Sequence, residues 1–196
     1  MTTGTSPTTE LSLEQALTEL EKLTGSEEHF DGMKSTCRSL ASTWLLATFG
    51  ALGFLLTEDL RGNIPTEVTA LALGVAGATG IFLLWILDLL VYHRLLDASF
   101  VEGLKLEAAF PQAPQVRHRM VASQPGGQTP FYEVWFYIGG ISAPVVFSGV
   151  LFVQWCWGHG PGAAAIAIAV LVAGLAGVIR FMLKMSPNPV VPQVLR

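Results

Sequence analysis

The chain has 196 residues, of which 51% are hydrophobic and only 13% are charged, and its mean hydropathy is +0.51. Ordinary soluble domains carry about 25% charged residues. This composition excludes an ordinary soluble domain and indicates a chain that lies largely in lipid. The net charge of −4 comes from acids near the N-terminus, which disfavours nucleic acid as a partner because phosphates repel an acidic segment.

Residues 1–33 form an acidic cytoplasmic arm in which Lys22 is the only Lys or Arg. Ser12 and Gln15 have the spacing of a capping box, and leucines follow at helical spacing. They predict a short amphipathic helix over 12–24 that ends at Gly25, because glycine tolerates the left-handed conformation that closes a helix. The arm is either a solvated helix surface or a docking surface for a basic cytosolic protein. Its acids are Glu10, Glu14, Glu19, Glu21, Glu27, Glu28 and Asp31.

Four long apolar stretches follow, at roughly 39–57, 68–92, 131–157 and 162–183. A helix needs about 20 mostly apolar residues to cross a hydrocarbon core of about 30 Å. Backbone groups must be satisfied internally in lipid, and the stretches do not alternate as barrel strands do. The sequence therefore predicts an all-α membrane protein with four transmembrane helices.

The distribution of basic residues predicts the orientation of these helices. Arg61 alone among the 11 Lys and Arg residues falls on the side opposite to the termini. Cytoplasmic loops carry excess Lys and Arg, so both termini are predicted to lie in the cytoplasm. The N-terminal segment lacks the features of a cleavable signal peptide, and we favour a bacterial inner membrane.

The same pattern divides the chain into five parts. The acidic arm (1–33) precedes a helical hairpin (34–110), a cytoplasmic loop (111–130), a second helical hairpin (131–185) and a proline-rich cytoplasmic tail (186–196).

The helical pattern of the second span continues beyond the lipid until Pro111. A helix over 67–109 would be about 64 Å long, so roughly half of it would project into the cytoplasm. It carries a broad apolar stripe, which needs a partner. The candidates are the helix at 12–24 and the same helix in neighbouring subunits. Together with the arm, residues 93–119 are therefore the predicted region for assembly or for contact with a cytosolic protein.

Small residues spaced four apart predict where the spans approach one another, because close helix contact in membranes uses such stripes. Pro144 in the third span predicts a kink, since proline removes a backbone donor. The predicted packing residues are Thr43, Ala47 and Ala51 in the first span, Gly74 and Ala78 in the second, and Ala169, Ala173 and Gly177 in the fourth.

Ionisable residues within spans are costly and mark candidate functional sites. Asp88, Glu133 and Arg180 fall at one depth, near the inner membrane interface, and three further residues lie slightly below them. Either Arg180 pairs with Asp88 or Glu133 and locks the helices, or the ring lines a vestibule, gate or ligand site. The full predicted ring is Asp88, Glu133, Arg180, Arg38, His93 and Arg94.

The sequence lacks the residues that several kinds of function require. The middle of the membrane holds no ionisable group, which disfavours a coupled carrier, and no hydrolase, zinc-protease or phosphate-loop motif is present. Cys156 and His159 supply only two of the four ligands of a structural zinc site. Cys37 and Cys156 fall at opposite ends of the membrane and cannot form a disulfide within one chain. We predict no enzyme activity, metal or cofactor.

These features favour a non-enzymatic membrane protein that assembles as a homo-oligomer. Its cytoplasmic helices would sense a partner or ligand and gate a pore or perturb the bilayer, a layout shared by small bacterial effectors of stress or phage defence. The alternatives are a membrane scaffold that recruits a cytosolic protein and, less favoured, a small carrier.

Overall fold

A computed structural model describes residues 12–57, 64–123 and 129–186, and within these ranges the chain is helical and contains no strand. The start of the acidic arm, part of the predicted loop at 111–130 and the proline-rich tail after residue 186 lie outside the described residues. The helices are α1 (Leu13–Thr57), α2 (Thr66–Trp85), a π-helical segment (Ile86–Tyr92), α3 (His93–Ala109), α4 (Val116–Ser123), α5 (Thr129–Gly158) and α6 (Pro161–Met185).

Four helices are long and apolar enough to cross a membrane: Leu13–Thr57, Thr66–Ala109, Tyr132–Gly158 and Pro161–Met185. The predicted number of apolar spanning helices is confirmed. The long helix expected over 67–109 is present as α2, the π-helical segment and α3, which follow one another without a break.

The N-terminal helix does not end where the sequence predicted. The capping box is formed, since the Ser12 N–H donates to Gln15 Oε1 (2.9 Å) and the Gln15 N–H donates to Ser12 Oγ (3.2 Å). The helix then runs through Gly25, so the predicted stop there is wrong. Within this continuous helix the Ser26 hydroxyl donates to the Lys22 carbonyl (3.0 Å). Packing of α1 against α3 offsets the cost of about 1 kcal/mol for a glycine within a helix.

The apolar stripe of α3 finds its partner within the same chain. Helix α3 packs against α1, and Leu104 of α3 is buried, as are Ala16 and Leu20 of α1. The first of the two candidate partners, the N-terminal helical segment, therefore covers part of this stripe, while Leu95 stays 44% exposed. We call residues 13–33, 93–109 and 116–123 the stalk, because they continue beyond the apolar stretches of the spans.

The spanning helices pack as α1 on α2, α2 on α5, and α5 on α6. Gly74 and Ala78 are buried in α2, and a Cβ atom built on Gly74 would lie 2.8 Å from the Pro144 carbonyl oxygen of α5. Pro144 is buried within a continuous α5, where its carbonyl accepts a hydrogen bond from the Ser148 hydroxyl (2.7 Å). The kink predicted there stays a prediction.

Two predicted packing stripes do not pack within the chain. Helix α1 buries Thr48 and Leu52 instead of its predicted stripe, and α6 buries Ala164 and Ala167. The sequence does not say which of several small-residue stripes faces inward. The exposed residues are Thr43, Ala47 and Ala51 in α1, and Ala169, Ala173 and Gly177 in α6.

We expect Gly74→Ala to lower the free energy of unfolding by about 1–3 kcal/mol, because the added methyl group forces α2 away from α5. Gly50→Ala is the matched control, since a Cβ there meets nothing within 4 Å and alanine favours the helix. Denaturation in mixed detergent micelles measures both. Equal stability of the two variants would contradict the close α2–α5 contact.

Candidate functional site: a buried charge network

The candidate site is centred on Asp88, which lies in the π-helical segment Ile86–Tyr92 and has 0% of its surface exposed. The His93 N–H bonds to the Asp88 carbonyl, five residues back. The wider turn of a π-helix inserts an extra residue into the helix face, and such segments are frequent at functional sites. Asp88 and Leu89 are consecutive and both buried, so the segment places a carboxylate in an otherwise apolar core.

Two other helices supply donors to this carboxylate. Arg38 of α1 donates through Nε to Asp88 Oδ2 (3.0 Å), and the Tyr137 hydroxyl of α5 donates to the same oxygen (2.9 Å). The second oxygen, Oδ1, is buried without a hydrogen-bond partner among the described residues. Asp88 thus joins α1 and α5 to the segment between α2 and α3.

Glu133 of α5 forms the second acidic centre. Its Oε1 lies 2.6 Å from Arg38 Nη2 and 3.5 Å from Lys34 Nζ. The Arg38 contact is an ion pair with poor hydrogen-bond alignment, since Nη2 satisfies no hydrogen-bond geometry. Arg38 therefore bridges both carboxylates, and its side chain keeps 36% of its surface exposed.

Lys34 extends the network into the stalk. It is 4% exposed, and its Nζ lies 3.0 Å from His93 Nδ1. An ammonium group has no lone pair to accept with, so Nδ1 must accept and His93 must be neutral with its proton on Nε2. That Nε2 lies 3.6 Å from Asp97 Oδ2, which is too long for a hydrogen bond.

The network is balanced in charge and expensive to bury. Lys34 and Arg38 offset Asp88 and Glu133, and three of the four side chains are less than one-tenth exposed. Burying such pairs costs desolvation energy that their attraction often fails to recover, whereas breaking one costs about 3–5 kcal/mol. The arrangement is therefore suited to fixing one relative position of α1, α3 and α5. Within the described ranges, no group of three or more His, Cys, Asp and Glu side chains could hold a metal ion.

The predicted ring is brought together only in part. Asp88, Glu133, Arg38 and His93 meet, whereas Arg180 and Arg94 are exposed. The ion pair expected from Arg180 is instead made by Arg38 and Lys34. Met182 is the residue that α6 turns into the core; Arg180, two positions earlier, lies about 200° away around the helix.

Lys34 and Tyr137 belong to the network, although the sequence interpretation did not assign them to it. The sequence did contain one signal: Lys34 and Arg38 are four apart, as are Glu133 and Tyr137, which places each pair on one helix face.

A second buried polar cluster fixes the far end of the stalk. Glu107 is 1% exposed and accepts hydrogen bonds from the Arg117 N–H (3.1 Å), the His118 N–H (3.2 Å) and Arg117 Nη1 (3.3 Å). Arg117 also donates to Glu27 Oε1 (2.8 Å) and Thr24 Oγ1 (3.2 Å) of α1. We call these five residues the stalk clamp, because they tie α3 and α4 to α1.

The Glu107 carboxylate is held in its charged form. Burial alone would raise its pKa, but hydrogen bonds from the His118 side chain, the two backbone N–H groups and Arg117 outweigh burial, so the pKa of Glu107 lies below its usual value. The clamp therefore depends on an ionised Glu107.

The sequence matches no protein-family model, and no curated protein or solved structure is significantly similar to it.

Replacing Asp88 by Asn leaves Arg38, whose side chain is 36% exposed and still paired with Glu133, with one counter-charge fewer. We expect the free energy of unfolding to fall by about 1.5–3 kcal/mol, the range for a hydrogen bond to a charged group. Asp97→Asn is the control, because Asp97 is partly exposed and its carboxylate, 3.6 Å from His93 Nε2, is too far away for a hydrogen bond. Its effect should stay within about 0.5 kcal/mol. Thermal unfolding in detergent measures both. An Asp88→Asn variant as stable as the parent would show that the buried ion pair contributes nothing.

The stalk clamp should open in acid. A carboxyl with a lowered folded pKa contributes stability above its unfolded value, about 4.3 for Glu, and loses that contribution as the pH falls through the folded value. We expect the Arg117 and His118 amides to exchange faster below that range, after correction for intrinsic rates. Glu107→Gln should produce the same change at neutral pH, and Glu102→Gln, which alters an exposed side chain, should not.

Proposed function

We propose that this protein is a non-enzymatic, multi-pass membrane protein that works as a homo-oligomeric sensor and effector. In this proposal the stalk lies in the cytoplasm, both termini are cytoplasmic, and the membrane is a bacterial inner membrane. A change in the stalk is passed to the spans, which then gate a pore or perturb the bilayer. The basic residues at the stalk end support this orientation.

One observation carries the proposal: the buried network lies where α1 and α3 leave the bundle. Lys34 contacts His93, and Arg38 contacts Asp88. A rotation or slide of α3 along α1 would break both contacts, whereas a rigid bundle needs no buried charge at this position. Packed interfaces with two arrangements convert small shifts into larger ones, and the network gives such an interface a defined closed position.

The hydroxyl groups of the spans do not favour a pore within one chain. Thr48 donates to the Trp44 carbonyl (2.8 Å) and Ser148 to the Pro144 carbonyl (2.7 Å), both on their own helices. Ser42 and Thr43 likewise donate to carbonyls four residues earlier. The proposed water path therefore lies between subunits.

The acidic surface of α1 supports a second candidate, a scaffold that recruits a basic cytosolic protein. Lys22 is the single Lys or Arg residue of the arm, and Glu19 already pairs with it (2.8 Å). In this reading the membrane spans anchor the stalk without conducting. The exposed acids are Glu14, Glu19, Glu21, Glu28 and Asp31.

Ion flux into liposomes that contain the purified protein tests the lead proposal. His93→Phe removes the acceptor of Lys34, and we expect it to raise flux about three- to tenfold, the shift that follows from losing a hydrogen bond of roughly 1 kcal/mol. His29→Phe, at an exposed position of α1, should leave flux unchanged.

Two outcomes would contradict gating through the network. Equal flux from the two histidine variants would remove the network from the gating step. No flux from any variant, together with a cytosolic protein that binds the parent but not a Glu14→Gln/Glu21→Gln/Glu28→Gln variant, would favour the scaffold.

A further inference from the structure

The cations of the described chain fall into two groups. Six of them have partners on the chain itself: Lys22, Lys34, Arg38, Lys105 and Arg117 each contact a carboxylate, and Arg119 donates to a backbone carbonyl. Three exposed cations make no ion pair or hydrogen bond with any described residue: Arg94, Arg180 and Lys184.

Each of these three cations lies near the end of an apolar stretch. Arg94 follows directly after the apolar stretch that ends near residue 92, and Arg180 and Lys184 are in the last two turns of α6. Among the described cations, a partner on the chain is thus missing only near the ends of the apolar stretches. Phospholipid phosphates are the anions found at that level of a bilayer, and cytoplasmic leaflets are rich in anionic lipids.

Helix α6 presents the clearest pair. It contains no Asp or Glu, and Arg180 and Lys184 lie one turn apart, so that their side chains emerge on one face. That face points away from α5, because the residues that α6 buries, Ala164, Ala167 and Met182, lie on the opposite side.

The surface beside this pair suits the rest of a lipid molecule. Phe181 and Leu183 are 46% and 47% exposed, and Val170 and Ile166, further along the span, are 65% and 67% exposed. The outward surface of α6 is therefore apolar along the span and cationic at its end. This order matches acyl chains followed by a headgroup.

We propose that Arg180 and Lys184 form a docking site for an anionic phospholipid, with the guanidinium and ammonium groups binding its headgroup phosphate. A planar guanidinium can donate two parallel hydrogen bonds to one phosphate. The proposal rests on the proposed orientation, in which this end of α6 faces the cytoplasmic leaflet, and it does not depend on gating or on a pore.

The test is lipid retention by the full-length protein, purified from nanodiscs of phosphatidylcholine and phosphatidylglycerol and analysed by native mass spectrometry. We expect the parent to retain phosphatidylglycerol preferentially. Arg180→Gln/Lys184→Gln should lower that preference roughly tenfold or more, since each cation near an anionic surface contributes to binding. Lys22→Gln/Lys105→Gln removes the same charge from the stalk and should retain the parent's preference. The charge-preserving Arg180→Lys/Lys184→Arg variant should also retain it and so separates binding from misfolding.

Four outcomes would overturn the proposal. The α6 double variant could retain as much phosphatidylglycerol as the parent, or the stalk variant could lose as much as the α6 variant. Millimolar inorganic phosphate could displace the lipid fully, which would assign the pair to a soluble anion. If the α6 double variant formed a particle of lower mass but kept its lipid, Arg180 and Lys184 would instead bind an acidic side chain of a second copy. No flux measurement enters this test, so failure of the pore proposal leaves its result interpretable.

Discussion

The structure depends on the burial of two carboxylates, Asp88 and Glu133, inside an otherwise apolar bundle. Each must find positive charge in a place where water is scarce, and Arg38 and Lys34 of α1 supply it. This requirement fixes the position of α1 relative to α5 and the π-helical segment. Because Lys34 also contacts His93, the same requirement fixes the point at which the stalk joins the spans.

The two polar clusters stabilise opposite ends of the stalk. At one end the charge network holds α1 to α3 beside the spans, and at the other the stalk clamp holds α3 and α4 to α1 through Glu107 and Arg117. On α3, the buried Leu104 lies between His93 of the network and Glu107 of the clamp. A movement of the stalk therefore has two polar anchors to release, and each can be weakened separately by substitution.

The cations of the chain face two environments, the interior of the bundle and its outer surface. Inward-facing cations are neutralised by carboxylates of the same chain, while the outward-facing Arg180 and Lys184 have no such partner among the described residues. Burial accounts for this difference: an unpaired charge inside the bundle is far more costly than one at a lipid–water boundary, where phosphate and water are available.

The sequence by itself determined the class of structure and the residues with unusual energetics. Hydrophobic runs predict four apolar helices, and the depth of Asp88, Glu133 and Arg180 in those runs predicts a shared level, with Arg38 slightly below it. Tertiary structure alone decided the pairing, because rotation of each helix about its axis selects Arg38 over Arg180. It also decided that α1 continues past Gly25, since packing against α3 outweighs a local helix stop. A π-helical turn at Asp88 has no signature in hydrophobic periodicity, because it shifts a single residue and is stabilised by the partners that other helices provide.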